Sequence, residues 1–140
     1  PFARGLIIGI TRGTTRAHVV RAALEAIALR TKDITDTVAA QTGIVMQGVK
    51  IDGGASKNNL LAQMFADFIG CTVERPSSVE ATSLGAAQMA GLAVGLWKES
   101  DFEGAVVNDS VFTPKMDAAK RDEIYASWKN AVERSKNWLK

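Results

Sequence analysis

With 140 residues, of which 46% are hydrophobic and 23% charged, the sequence has the balance of one globular domain or a fragment of a larger one, which excludes a disordered chain. Its net charge of +2 is too small to imply nucleic acid, and a single cysteine, Cys71, excludes an internal disulfide or a multi-cysteine metal site. No apolar run reaches the roughly 18 residues of a membrane span and no signal-peptide pattern opens the chain, so it reads as cytoplasmic.

The chain opens at Pro1 without a methionine and runs almost directly into Leu6-Ile7-Ile8-Gly9-Ile10, a continuous apolar run suited to a strand buried on both faces. From this start we expect further sequence upstream. Thr11 to Thr15 reads as a loop whose last threonines can cap a helix. From Ala17 to about Gln41 apolar residues recur at helical spacing, and Gly43 is placed to end that helix. His18, the only histidine, lies in its first turn and reads as a capping or packing residue, with no partner for general-base work nearby in sequence. Arg21 and Glu25, four apart, can pair along its surface.

Ile44 to Ile51 forms the next expected strand and leads into Asp52-Gly53-Gly54-Ala55. Leu60, Leu61, Met64, Phe65, Phe68 and Ile69 share one helical stripe that Gly70 stops. Cys71 to Arg75 reads as a third short strand closed by Pro76, with Cys71 a small buried residue rather than a nucleophile. The turn-rich segment Pro76 to Glu80 leads to Ala81 to Ala93, which is dense in alanine and glycine. That segment suits either a buried helix or close packing across the sheet beside the glycine turn. A less ordered stretch from Trp97 to Pro114 carries Asp101, Glu103, Asn108 and Asp109. The last helix starts near Asp117, and its basic residues alternate with acids as on a solvated face. Strand alternating with helix predicts an α/β fold with a parallel sheet and flanking helices.

The chemistry concentrates at the turn after Asp52. Adjacent glycines just past the carboxyl end of a strand let a ligand approach the backbone. Neither a G-x-G-x-x-G fingerprint nor a P-loop is present. What remains is Gly53-Gly54-Ala55 with Asn58 one helical turn on, an amide that offers an acceptor and donors and suits a base edge better than a phosphate. From the residues alone, a nucleotide-holding turn and a plain tight turn both stay open.

Several spaced segments resemble the FGGY carbohydrate kinases. Gly5 to Ile10 followed by His18 to Glu25 looks like the second signature of that family. Asp52-Gly53-Gly54-Ala55 with Asn58-Asn59, Ala66 to Gly70, Val73-Glu74-Arg75-Pro76, Ala81 to Ala87 and Phe112-Thr113-Pro114 are similar to its glycerol-phosphorylating members in particular. The resemblance covers nearly the whole chain. It implies an actin-like, ribonuclease-H-like ATPase fold, with residues 1–140 forming the later part of the carboxy-terminal kinase domain. It also implies that the amino-terminal domain and the start of this domain lie outside the sequence.

The activity implied is ATP-dependent phosphorylation of glycerol with Mg²⁺, by a complete enzyme that is a homo-oligomer. Another sugar or polyol kinase, such as one for xylulose, and a non-catalytic nucleotide-binding module are the alternatives. Carried over, Gly54 would contact ATP or ADP through its backbone, Asn58 would face the adenine, and Gly53 and Ala55 would shape the turn. Ser56 and Lys57 receive no role. The catalytic aspartate, the glycerol-binding residues and the phosphate loops would lie upstream, so no catalytic or metal residue is assigned here. Asp52, Asp67 and Asp101 do not take their place, and the segment alone is expected to be inactive.

Overall fold

The computed structural model describes residues 2–77, 80–102 and 108–139. The expected turn at Pro76 to Glu80 therefore lies partly outside the described residues, as does Glu103.

Helix α1 spans Arg16–Thr42. At its start the Thr15 backbone N–H donates to His18 Nδ1 at 3.0 Å, so the histidine is the capping residue its position suggested. At its end Gly43 takes a left-handed conformation, φ +72°, and its N–H donates to the Ala39 carbonyl at 2.9 Å. Arg21 and Glu25 do pair, at 2.7 Å.

Strand β1 is Gly48–Lys50, shorter than the expected Ile44 to Ile51, and helix α2 is Asn59–Ile69. Gly70, φ +82°, ends α2 and turns the chain into β2, Thr72–Pro76. The unit is a β-α-β crossover, with β1 and β2 parallel in the register Gly48 to Thr72, Val49 to Val73 and Lys50 to Glu74. Burial alternates along β2, so that Val73 and Arg75 face the interior together.

Helix α3, Ala81–Ala93, follows, then strand β3, Asn108–Phe112, and helix α4, Ala118–Ser135. β3 lies where a less ordered stretch was expected. It pairs antiparallel with the other edge of β2, which gives a mixed three-stranded sheet in the order β1-β2-β3. Arg75 opposes Ser110 but Pro76 opposes Asn108, so Asp109 is an extra residue in β3, a β-bulge.

The core is the helix face above this sheet. Ala28 and Leu29 of α1 meet Leu61, Met64 and Phe68 of α2, with Ile124, Tyr125 and Trp128 of α4 packed against them. Asp67 closes the far side: its Oδ1 accepts from the backbone N–H of Lys115 at 2.7 Å and of Met116 at 3.2 Å, pinning the chain between β3 and α4.

Two expectations are corrected. Leu6 to Ile10 joins no strand among the described residues, and Ile7 and Ile10 are 67% and 63% exposed. An apolar run signals a buried strand only where a neighbouring strand supplies the ladder, and none is described beside it. Helix α3 does not pack its small residues across the sheet: of its residues only Gly91 is buried, under the Trp97 ring.

Candidate functional site

The chain leaves β1 at Ile51, whose N–H adds one more ladder bond to the Glu74 carbonyl at 2.9 Å. Gly53 follows with φ +79° and ψ 172°, a region of backbone space open essentially to glycine alone. It redirects the chain into a single 3₁₀ turn, Gly54–Lys57. The Ser56 N–H and hydroxyl both donate to the Gly53 carbonyl, at 3.1 and 2.7 Å, and the Asn58 N–H donates to Ala55 at 3.1 Å. Gly53, Gly54, Ala55 and Asn58 are thus brought onto one short turn at the carboxyl end of β1, with Gly54, Ala55 and Asn58 exposed.

Gly54 differs from its neighbour. Its φ lies outside the left-handed region, and no heavy atom of the described residues comes within 4 Å of where a Cβ would stand. Among the described residues, neither backbone conformation nor packing requires a glycine there.

Asn58 is the N-cap of α2. Its Oδ1 accepts from the backbone N–H of Leu60 at 3.0 Å and of Leu61 at 3.2 Å. Both capping bonds use Oδ1, so the donor end of the amide, Nδ2, takes no part in them.

Behind the turn stands Arg75, buried on β2. Its Nη1 donates to the Ser56 carbonyl at 2.9 Å and to Asn59 Oδ1 at 2.8 Å. Its Nη2 donates to Asp109 Oδ2 at 3.0 Å and to Ser110 Oγ at 2.8 Å, and its Nε to Asp109 Oδ2 at 3.3 Å. The guanidinium also lies over the Phe112 ring, 5.5 Å from its centroid. The Ser110 hydroxyl, first, and Arg75, second, hold the Asp109 carboxyl below its ordinary range.

Sequence reasoning missed Ser56, which is buried, and Arg75. The signal for Arg75 was present: in Thr72-Val73-Glu74-Arg75 strict alternation puts the arginine on the same buried face as Val73, and a charge there needs partners.

Two other titratable residues singled out from the sequence, Asp101 and Cys71, are accounted for by local structure. Asp101 accepts from the Lys98 N–H at 2.9 Å. Cys71 is buried, and burial pushes its thiol pKa up, away from the reactive thiolate. Among the described residues no group of three or more His, Cys, Asp or Glu side chains could hold a metal ion, and no helix is long and apolar enough to cross a membrane.

Residues 1–94 match the FGGY family of carbohydrate kinases, C-terminal domain. The chain is 51% identical over 139 residues to the glycerol kinase of Pseudothermotoga lettingae, a match covering 99% of this chain and 28% of that protein. Its fold is similar to that in the crystal structure of Plasmodium falciparum glycerol kinase with ADP, with a TM-score of 0.83, 40% identity, and coverage of 98% of this chain and 28% of that one. It is similar also to the xylulose kinase of Rhodospirillum rubrum, with a TM-score of 0.74, 26% identity, and coverage of 96% and 28%. The chain therefore spans 28% of the length of these relatives.

Proposed function

The chain belongs to the FGGY family of carbohydrate kinases, and from that premise we propose that it forms the nucleotide-side wall of an ATP-dependent glycerol kinase. Its α/β sheet with flanking helices is that of the actin-like ATPase fold of these kinases. In this reading residues 1–140 are part of the carboxy-terminal domain of a complete enzyme that transfers the γ-phosphoryl group of ATP to a terminal hydroxyl of glycerol.

The observation that carries the reading is the open space at Gly54. A glycine that neither its φ nor its neighbours require is accounted for by a ligand that must come close to the main chain. The Asn58 amide, held by its capping bonds one turn further on, is the matching donor for the adenine ring. Mg²⁺ would arrive with the phosphates and supply charge neutralisation to the transferred group. The contribution of this segment is to hold the adenosine end of the nucleotide, so that binding energy is spent on alignment.

Glycerol is preferred over a sugar substrate because, between the two solved structures, identity is 40% to a glycerol kinase and 26% to a xylulose kinase. The test uses the complete enzyme and two substitutions of Asn58. Asn58→Asp keeps a capping oxygen but replaces the amide donor by a carboxylate, whereas Asn58→Ala removes both. Both should raise the KM for ATP and leave the KM for glycerol unchanged, and only the alanine variant should lose stability, by about 1 kcal/mol. An unaltered KM for ATP in Asn58→Asp would overturn the assignment.

A further inference from the structure

We propose that Arg75 is the positioning residue of the nucleotide turn, holding Gly53 to Lys57 in binding geometry by clamping it to β3. The inference rests on the assignment of the turn to the nucleotide, and goes beyond it by naming what fixes the turn in place.

A 3₁₀ turn of four residues is intrinsically weak, because its i to i+3 bonds are poorly aligned. The internal bonds of this one all run between Gly53 and Asn58 and would let it move as a unit. Arg75 supplies the external anchor. A guanidinium carries five N–H donors, and Arg75 makes five hydrogen bonds: to the Ser56 carbonyl, Asn59 Oδ1, Ser110 Oγ and twice to Asp109 Oδ2. Two of these go to the turn and the start of α2, and three go to β3. One rigid plane thereby joins segments that are 16 to 35 residues away from it in sequence.

The β3 side is arranged for this. Neighbouring residues of a regular strand point to opposite faces, yet Asp109 and Ser110 both reach the same guanidinium. The bulge at Asp109 is what allows it, since an extra residue re-aims the side chain beside it. Asp109 offsets the charge that β2 buries, and the Ser110 hydroxyl accepts from Arg75 while donating to Asp109 at 3.0 Å. A lysine could not replace Arg75, having three donors on a single nitrogen in place of a planar fork.

The experiment measures KM for ATP, KM for glycerol, kcat and thermal midpoint of the complete enzyme in Arg75→Lys and Ser110→Ala. Among the described residues Ser110 is linked to the turn only through Arg75, so an effect of its hydroxyl on nucleotide is expected to pass through the clamp. Arg75→Lys should raise the KM for ATP about tenfold, the scale of one lost charge-assisted hydrogen bond, and Ser110→Ala about threefold. The KM for glycerol and kcat should stay within about twofold, well inside the effect expected of one such bond. A merely structural arginine would lower the thermal midpoint without this split between substrates.

If Arg75→Lys does not fold, Ser110→Ala alone decides the matter. If Asn58→Asp weakens ATP binding while Arg75→Lys and Ser110→Ala leave it unchanged, the clamp is overturned and the nucleotide assignment stands. If Asn58→Asp also has no effect, the assignment itself fails.

Discussion

The Tyr125 hydroxyl donates to Asp33 Oδ1 at 2.9 Å, tying the last helix to the first. Trp128 Nε1 donates to the other oxygen of the same carboxylate, also at 2.9 Å. One acid on α1 thus satisfies two aromatic donors of α4 beside the apolar core. Asp33→Leu strands both donors and should lower stability by about 2–3 kcal/mol, read as a shift in urea midpoint for this domain's transition. Asp33→Asn should recover only part of the loss, because its amide nitrogen cannot accept.

The same contact makes stability depend on alkaline pH. Burial first, and the Asp33 carboxylate second, raise the pKa of Tyr125, so the folded protein holds the phenolic proton more tightly than the unfolded chain does. The stabilisation is complete below the unfolded tyrosine value of about 10 and declines as pH rises above it towards the folded value. Tyr125→Phe should be less stable than the parent protein at neutral pH, and the gap should narrow above pH of about 10. A gap constant through that range in urea titrations would contradict this account.

The adjacent glycines of the turn should respond oppositely to alanine. Gly53→Ala forces a side chain into a glycine-only region with no clash to relieve, and should destabilise the domain by about 1–3 kcal/mol. Gly54→Ala should leave stability within about 0.5 kcal/mol, as a surface change that disturbs no contact. It should nonetheless raise the KM for ATP by about tenfold or more, roughly 1.4 kcal/mol of lost nucleotide binding. Melting curves and steady-state kinetics on the two variants separate backbone need from ligand clearance.

Cys71 offers a probe of local opening. Its thiol is buried, with a pKa raised by that burial, so a disulfide reagent at neutral pH should modify it far more slowly than a free thiol. The rate should rise to the free-thiol value once urea unfolds the domain. Rapid labelling of the native protein would show that the entry to β2 opens easily.

What could be read in the sequence was what is encoded locally. The helix that ends at Gly43 and the helix between Asn58 and Gly70 were legible because apolar spacing and terminal glycines lie within a few residues of each other. The glycine turn was legible for the same reason. β3 was not, because Asn108-Asp109-Ser110 carries no apolar alternation and gains its identity from β2, 34 residues away at the Arg75 to Asp109 contact. Leu6 to Ile10 erred in the other direction, with strand-like composition but no ladder partner among the described residues. Asn58 stands out in the sequence as a candidate ligand group, yet an asparagine just before an apolar helix is also the standard capping position. The capping bonds engage only its Oδ1.

The bulge at Asp109 makes the length of this segment matter more than most of its letters. Removing one residue from β3 would let every remaining position pair regularly with β2, yet it would turn the carboxylate or the hydroxyl away from Arg75. A better ladder would come with a looser turn. Homologous sequences that vary freely in composition between Asn108 and Phe112 are therefore expected to keep its residue count.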